Sequence, residues 1–212
     1  MKLEEFLKRV GNLPVIETES LLAGVSDQRA LKVQISRWQK AGNLIQLRRG
    51  IYVLSEPYRK TEAFEFYLAS VLKNPSYISL EKALEYHGLI PDAVPVYTSV
   101  TTKRPGRFAS EIGVFDYRHI KNGLFWGYES VTVNKQTGFV ASPEKALLDT
   151  CYFKGSDISG AYLKELRLQN IGKIRIDKLR RYAKKFRKPG AVAAAKAIET
   201  YINSCEDGEK AL

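Results

Sequence analysis

The sequence predicts an α+β protein, and the spacing of its apolar residues carries that prediction. Apolar residues follow a helical spacing up to residue 42, alternate at strand spacing over 44–54 and again between 96 and 134, and return to helical spacing after residue 156. The chain has 212 residues, of which 44% are hydrophobic, so it can form one large or two small domains with ordinary cores.

Three short helices are predicted at the N-terminus. The first spans residues 3–10 and the second residues 18–22. The third is capped by Ser26 or Asp27, because a short side-chain oxygen accepts hydrogen bonds from the free amides of a first helical turn. It ends before Gly42, which suits the left-handed conformation that follows many helices.

The third helix has an apolar face and a basic face. Leu31, Ile35 and Trp38 form the predicted buried stripe, and polar and basic side chains lie on the other side. Side chains at these positions can meet phosphates and base edges if the helix enters a DNA groove, whereas a solvated basic face is the alternative. The predicted DNA-binding residues of this helix are Gln28, Arg29, Lys32, Val33, Ser36, Arg37 and Lys40.

Residues 44–54 read as a short hairpin. Apolar and polar residues alternate on both sides of Arg48-Arg49-Gly50, which is predicted to be a three-residue loop with Gly50 at positive φ. Three short helices followed by such a ribbon form the order of a winged helix-turn-helix, in which the third helix enters the major groove. Arg48 and Arg49 at the hairpin tip are therefore predicted to reach the neighbouring DNA backbone or minor groove. Docking of a protein on the same module is the alternative.

The stretch from Ser55 to Lys60 reads as a linker, and a mixed α/β domain is predicted beyond it. Helices are expected near residues 61–74 and 80–87, and strands over 96–102, 112–120 and 124–134. We expect the strands to form an antiparallel sheet. The predicted domains are therefore residues 1–56, the winged helix-turn-helix, and residues 57–212.

A helical tail is predicted to follow this sheet. Ser142 is an expected N-cap before a helix that Pro143 begins, and further helical patterns cover residues 158–170, 176–188 and 191–205. From Lys173 to Lys188 the tail carries nine basic residues and one acidic residue. We predict a second basic face here that binds nucleic acid or acts in antitoxicity, the alternatives being a solvated surface or a protein-docking surface. The residues of this second basic face are Lys178, Arg181, Lys185 and Lys188.

The net charge of +11 is spread unevenly along the chain. Residues 1–60 carry 11 basic and 6 acidic groups, residues 61–150 carry 9 and 10, and residues 151–212 carry 14 and 7. Two basic ends around a neutral middle favour a polyanionic partner, which is most often nucleic acid and less often anionic lipid. Cationic surfaces that serve only solubility are the alternative.

The sequence shows no catalytic pattern. His87 and His119 are the only histidines and lack metal-ligand spacing. The fragment GSD at 155–157 is similar to a nucleotidyltransferase signature, but Ser159 stands where a second carboxylate would be needed for metal-assisted chemistry. We therefore predict a protein that is not an enzyme and that has no metal and no cofactor.

The two cysteines and the hydropathy pattern predict a cytoplasmic protein. Cys151 and Cys205 form neither a ligand spacing nor a disulfide framework, and Cys151 is expected to be an inert buried thiol. No secretory leader opens the chain, and no apolar run approaches the roughly 18 residues of a membrane span. We expect no membrane association.

Four stretches carry a resemblance to a known family. They are LIQLRRGIYVL at 44–54, YISLEKALEYHGLI at 77–90, TTKR at 101–104 and ASPEKALLDTCYF at 141–153. In these stretches and in their order the chain resembles the AbiEi-type antitoxins, the regulator half of abortive-infection type IV toxin–antitoxin pairs. The likeness spans roughly residues 1–155, and its motifs are structural rather than catalytic.

The resemblance implies a transcriptional autorepressor with two tasks. Its winged helix would bind inverted repeats in the double-stranded DNA of its own promoter. Its C-terminal domain would counter a cognate nucleotidyltransferase toxin without forming a stable complex with it. The alternative from the residues alone is a non-enzymatic protein-binding module whose basic surfaces face an acidic partner.

Overall fold

The computed structural model describes residues 2–23, 25–155 and 160–210, with nine α-helices and nine β-strands in these ranges. This mixture confirms the predicted α+β class. None of the described helices is long and apolar enough to cross a membrane. The helices are α1 (Leu3–Val10), α2 (Thr18–Leu22), α3 (Gln28–Lys40), α4 (Glu65–Leu72), α5 (Leu80–Tyr86), α6 (Pro143–Lys154), α7 (Gly160–Glu165), α8 (Ile176–Lys185) and α9 (Pro189–Lys210). The strands are β1 (Ile16–Glu17), β2 (Leu44–Arg48), β3 (Ile51–Leu54), β4 (Ser76–Ile78), β5 (Val96–Thr101), β6 (Gly106–Ser110), β7 (Gly113–His119), β8 (Tyr128–Val133) and β9 (Gln136–Ala141).

The N-terminal elements form a small three-stranded sheet with three helices. The sheet has the order β1-β3-β2, and both pairings are antiparallel. Helix α3 begins where predicted, because the side chain of Asp27 accepts a hydrogen bond from the Ala30 amide at 2.8 Å. Gly42 follows the helix with φ +75°, which confirms the left-handed position.

The tip of the β2–β3 hairpin differs from the prediction in one respect. Gly50 has φ +84°, as expected, but Arg48 is still in the strand and pairs with Ile51. The turn is therefore formed by Arg49 and Gly50 alone, and the predicted three-residue loop is wrong. A bulge between Gln46 and Arg48 leaves one residue of β2 without a partner in β3, and this brings Arg48 into register with Ile51.

The large sheet has six strands in the order β6-β7-β5-β4-β9-β8. It is mixed, since β5–β7 and β4–β9 are parallel, and the prediction of an antiparallel sheet is wrong. The reason is β6, a strand within the segment 103–111 that sequence patterning assigns to a turn. It forms an antiparallel hairpin with β7, so the chain reverses twice and β7 returns parallel to β5.

Other predicted elements of the second domain are present, but two of them begin later in the chain than expected. The helix expected over 61–74 begins at Glu65, and the strand expected over 124–134 begins at Tyr128, after a 3-10 turn over Asn122–Leu124. Ser142 caps α6 as predicted, since its hydroxyl accepts a hydrogen bond from the Lys145 amide at 3.4 Å.

Two hydrophobic cores meet at the β2–β3 hairpin. The smaller core joins α1, α2, α3 and one side of the hairpin, and the larger core joins the six-stranded sheet and the remaining helices. All four residues of β3 are buried: Tyr52 and Leu54 belong to the smaller core, whereas Ile51 and Val53 belong to the larger one. The hairpin therefore contributes to both cores, and Arg48 and Arg49 at its tip are exposed.

Candidate nucleic-acid interface

Helix α3 buries the predicted stripe and exposes the predicted face. Leu31, Ile35 and Trp38 are buried as expected. Val33 is exposed to 45%, which is unusual for a large apolar side chain and leaves it free to contact a partner. The predicted DNA-binding side chains of α3, all of which are exposed, are Gln28, Arg29, Lys32, Val33, Ser36, Arg37 and Lys40.

Contacts at both ends of α3 fix the orientation of this face. Gln28 Nε2 donates a hydrogen bond to the Leu22 carbonyl at 3.4 Å, which ties the start of α3 to the end of α2. Gln39 Nε2 donates to Gln46 Oε1 at 3.0 Å, which ties the end of α3 to strand β2. These hydrogen bonds join α3 to α2 and to the hairpin.

A backbone hydrogen bond joins the hairpin tip to α2, and the two arginine side chains of the tip are exposed. The Thr18 amide at the start of α2 donates to the Gly50 carbonyl at 2.8 Å. A side chain at position 50 would be strained at φ +84°, so glycine is needed to turn the chain at this point. Arg48 and Arg49 are both exposed on this anchored turn.

The cations of α3 and the hairpin tip are not neutralised by acidic side chains. Within the described ranges, no ion pair involves any of them. Their positive potential is therefore directed to solvent, where it can attract a polyanion. The six cations, named here the α3–hairpin surface, are Arg29, Lys32, Arg37, Lys40, Arg48 and Arg49.

The second basic face has a different environment, and the helix predicted over 176–188 ends at Lys185, so that Lys188 lies between α8 and α9. Lys178 Nζ lies 3.0 Å from Glu144 Oε2, and the Lys178 side chain is only 18% exposed. The ammonium groups of Lys185 and Lys188 lie over the rings of Trp126 and Tyr152 at 4.2 and 4.5 Å. Of the four predicted residues, Arg181 alone is exposed with no ion pair or ring contact given by the described structure.

Glu144 explains why Lys178 faces inward. Burial raises the pKa of this carboxyl group, but the ammonium of Lys178 and hydrogen bonds from the Arg175 amide and the Ser142 hydroxyl outweigh that effect, and the net pKa is lowered. Glu144 is 1% exposed and ionised at neutral pH, so it needs the charge of Lys178. Lys178 is thus part of the packing of α8 on α6.

A buried polar cluster was missed by the sequence patterns. Lys145 and Asp149 form an ion pair with no solvent exposure, and the hydroxyls of Tyr77 and Ser79 donate to Asp149 at 2.9 and 2.8 Å. Lys145 Nζ also donates to the Tyr77 hydroxyl at 2.9 Å. Ser79 lies at the N-cap position of α5, but its side chain does not cap the helix because its hydroxyl donates to Asp149.

Desolvation dominates the electrostatics of this cluster. Burial lowers the pKa of Lys145 and raises the pKa of Asp149, and the attraction between the two groups opposes both shifts. The spacing of four residues between them is a signal in the sequence, but such pairs usually lie on helix surfaces. With both side chains wholly buried, the cluster joins α6 to β4 and offers no group to a substrate.

Metal binding and thiol chemistry find little support in the described residues. In these ranges no three His, Cys, Asp or Glu side chains converge in a way that could hold a metal ion. Asp157 and Ser159, from the fragment similar to a nucleotidyltransferase signature, lie outside the described residues. Cys151 is buried as predicted, and burial raises the pKa of its thiol to about 12, so it is protonated and unreactive at neutral pH.

Comparison with family models and with curated proteins finds no match for this chain. No family model matches the chain, and a search of curated proteins returns no significant match. The resemblance to the AbiEi-type antitoxins therefore stays a prediction, as does the DNA-binding role of the residues named above.

Proposed function

We propose that this protein is a DNA-binding transcriptional repressor whose residues 1–56 form a winged helix-turn-helix. The observation that carries the proposal is the α3–hairpin surface, six cations on a helix and a neighbouring turn that form no ion pair within the described part of the chain. The order α1-β1-α2-α3-β2-β3 supports it, because winged helices have this arrangement.

In the proposed complex, α3 enters the major groove of double-stranded promoter DNA. Arg29 and Lys32 would lie close to phosphates or guanines, and Val33 would contact a thymine methyl group. Arg48 and Arg49 would follow the groove edge and bind the neighbouring backbone or the narrow minor groove. The hydrogen bond between Gln39 and Gln46 would keep these two contact regions at a fixed separation.

We extend the proposal to an autorepressor and antitoxin of a type IV toxin–antitoxin pair. This part rests on the resemblance of the four sequence stretches to AbiEi-type antitoxins. It implies inverted repeats in the promoter as the operator. It also implies a nucleotidyltransferase toxin that is countered without a stable complex, by a protein that is not an enzyme and resides in the cytoplasm.

The DNA-binding proposal is tested by titrating the full chain against a duplex from the region upstream of its own reading frame. We expect a complex that weakens steeply with salt and that a duplex of scrambled sequence forms less tightly. Equal affinity for both duplexes would contradict a sequence-specific repressor. Absence of binding to either would instead favour the protein-binding module with an acidic partner.

The antitoxin proposal predicts a nucleotidyltransferase gene beside the gene for this protein, and co-expression of the two proteins tests it. Truncation before Thr61 is a poor way to separate repression from rescue, because it removes Ile51 and Val53 from the larger core. The double variant Arg29→Ala/Arg49→Ala leaves both cores intact. We expect it to lose repression and retain rescue, and loss of both activities in a folded variant would contradict the division of tasks.

A further inference from the structure

A second group of exposed cations lies in the neutral middle of the chain. Lys103 and Arg104 precede β6, and Arg107 is within it. All three side chains are exposed, and no described ion pair involves them. Composition hides this group because residues 61–150 carry 9 basic and 10 acidic residues in total.

The fold brings this segment beside the hairpin tip. Strand β2 packs against β6, and a cavity of about 360 Å³ is lined by Leu44 and Gln46 of β2 and by Ser110 and Glu111 at the end of β6. At the other end of β6, burial raises the pKa of Tyr117 and the charge of Arg48 opposes this rise, and Tyr117 pairs with Gly106 in the sheet. Arg48 therefore lies near the start of β6.

Lys73 links the two basic segments. Its ammonium donates a hydrogen bond to the Arg104 carbonyl at 2.9 Å and lies over the rings of Phe108 and Tyr117 at 5.6 and 5.5 Å. Burial lowers the pKa of Lys73, and the charge of Arg48 lowers it further. Arg48 is thus close enough to act on the same residue that holds Arg104 in place.

The backbone of residues 101–104 is held by hydrogen bonds from the protein interior. The Thr101 hydroxyl donates to the Pro75 carbonyl at 2.6 Å and accepts from the Lys103 amide at 3.1 Å. His119 Nδ1 lies 3.0 Å from the Lys103 carbonyl, which can only accept, so Nδ1 is the donor. These hydrogen bonds engage the backbone of Lys103, whereas the side chains of Lys103 and Arg104 are exposed.

We infer that Lys103, Arg104 and Arg107 form a second phosphate-binding segment, through which the C-terminal unit contacts the same DNA duplex as the hairpin tip. The inference rests on the proposed DNA-binding function and adds to it a contact outside residues 1–56. Basic side chains on a preformed backbone suit phosphate oxygens, and their position beside Arg48 places them along the DNA backbone that leaves the hairpin. Such contacts are independent of base sequence.

The triple variant Lys103→Ala/Arg104→Ala/Arg107→Ala tests this inference, with Lys135→Ala/Lys164→Ala/Lys196→Ala as its control. The control removes the same charge from exposed lysines in the β8–β9 turn, α7 and α9. Binding of a 30-base-pair duplex of arbitrary sequence is measured at several salt concentrations, after urea unfolding has shown that both variants fold. Each lost phosphate contact lowers the salt slope by about 0.9, so a fall of about 2–3 is expected for the first variant and none for the control.

A triple variant with the affinity and salt slope of the wild type would overturn the inference. So would equal slopes of the triple and control variants, since net charge alone would then account for the change. A wild type that binds arbitrary and promoter duplexes equally well contradicts the sequence-specific repressor but leaves this test intact. A triple variant that binds DNA normally and fails only in rescue from the toxin would show that the segment faces another partner, which also overturns the inference.

Photo-crosslinking gives a readout that a change in stability does not mimic. A photoreactive amino acid in place of Arg107 should form covalent adducts with the duplex, as should one in place of Arg49. The same residue in place of Lys135, in the β8–β9 turn, should not. Adducts at position 49 without adducts at position 107 would overturn the inference.

Discussion

Helix α3 and the second basic face have the same signature in the sequence, basic residues at helical spacing opposite an apolar stripe, but different environments in the structure. On α3 and the hairpin the cations have no described acidic partner, whereas on α8 Lys178 is bound to buried Glu144 and two other lysines lie over aromatic rings. Neighbouring Arg180 is paired as well, through an ion pair with Glu199.

This difference separates two uses of positive charge. A cation that compensates a buried carboxylate stabilises the fold, and its removal lowers the free energy of unfolding. An unpaired exposed cation contributes little to the stability of the fold and is available to bind a partner. Substitution of Lys178 is therefore expected to reduce stability, and substitutions on α3 and the hairpin to reduce binding. A charge reversal of the whole α8 face would confuse the two effects through Lys178.

The largest expected effect is on Lys178. Lys178→Glu places a second carboxylate beside buried Glu144, and we expect a loss of about 3 kcal/mol in the free energy of unfolding, measured in urea. Arg181→Glu changes the charge of the same helix by the same amount at an exposed site and should cost less than about 0.5 kcal/mol. Equal losses in the two variants would mean that the α8 cations are equivalent after all.

The next effect is on binding by α3. Arg29→Ala should weaken operator binding by about 1–3 kcal/mol and relax the preference at one base position if its guanidinium contacts a guanine. Its free energy of unfolding should stay within about 0.5 kcal/mol of the wild type, because Arg29 is exposed. Lys164→Ala, at an exposed position of α7, is the control and should bind as the wild type does. A uniform loss across all sequences would assign Arg29 to a phosphate instead.

A smaller effect is expected at the hairpin turn. Gly50→Ala puts a Cβ atom on a residue with φ +84°, which should cost about 1–2 kcal/mol of stability and disturb the position of Arg48 and Arg49. Gly190→Ala, in the first turn of α9, has open space around the added methyl group and should be neutral or stabilising by about 0.4–1 kcal/mol. If Gly50→Ala unfolds at the wild-type urea concentration, the turn can adopt another conformation.

The smallest effect is the pH dependence of the pair between Glu144 and Lys178. The folded-state pKa of Glu144 is lowered from 4.5, so its ionised form contributes stability that is present above about pH 4.5 and is lost as the pH falls through the folded-state pKa. In Lys178→Met the charged partner is gone, and burial should raise this pKa. The stability difference between wild type and variant should therefore be largest near neutral pH and shrink below pH 4.5. An unchanged difference from pH 7 to pH 3 would show that Glu144 does not titrate with the pair.

The sequence by itself determined the elements whose signals are local. The periodicity of Leu31, Ile35 and Trp38 fixed the buried side of α3, and therefore the exposed side that carries the predicted DNA-binding residues. The chemistry of Gly50 and Ser142 fixed a turn and a helix start, because positive φ and N-cap hydrogen bonding depend on a few neighbouring residues.

Only the tertiary structure decided which distant groups meet. Glu144 and Lys178 are brought together by the packing of α8 on α6, and nothing in the local pattern of either helix indicates it. Strand β6 was missed because its segment is rich in polar and turn-forming residues, and pairing with β7 gives it its conformation. The position of Arg104 beside Arg48 follows from that strand. Charge and periodicity are properties of the chain, but whether a charge is free depends on contacts that form only when separate elements pack.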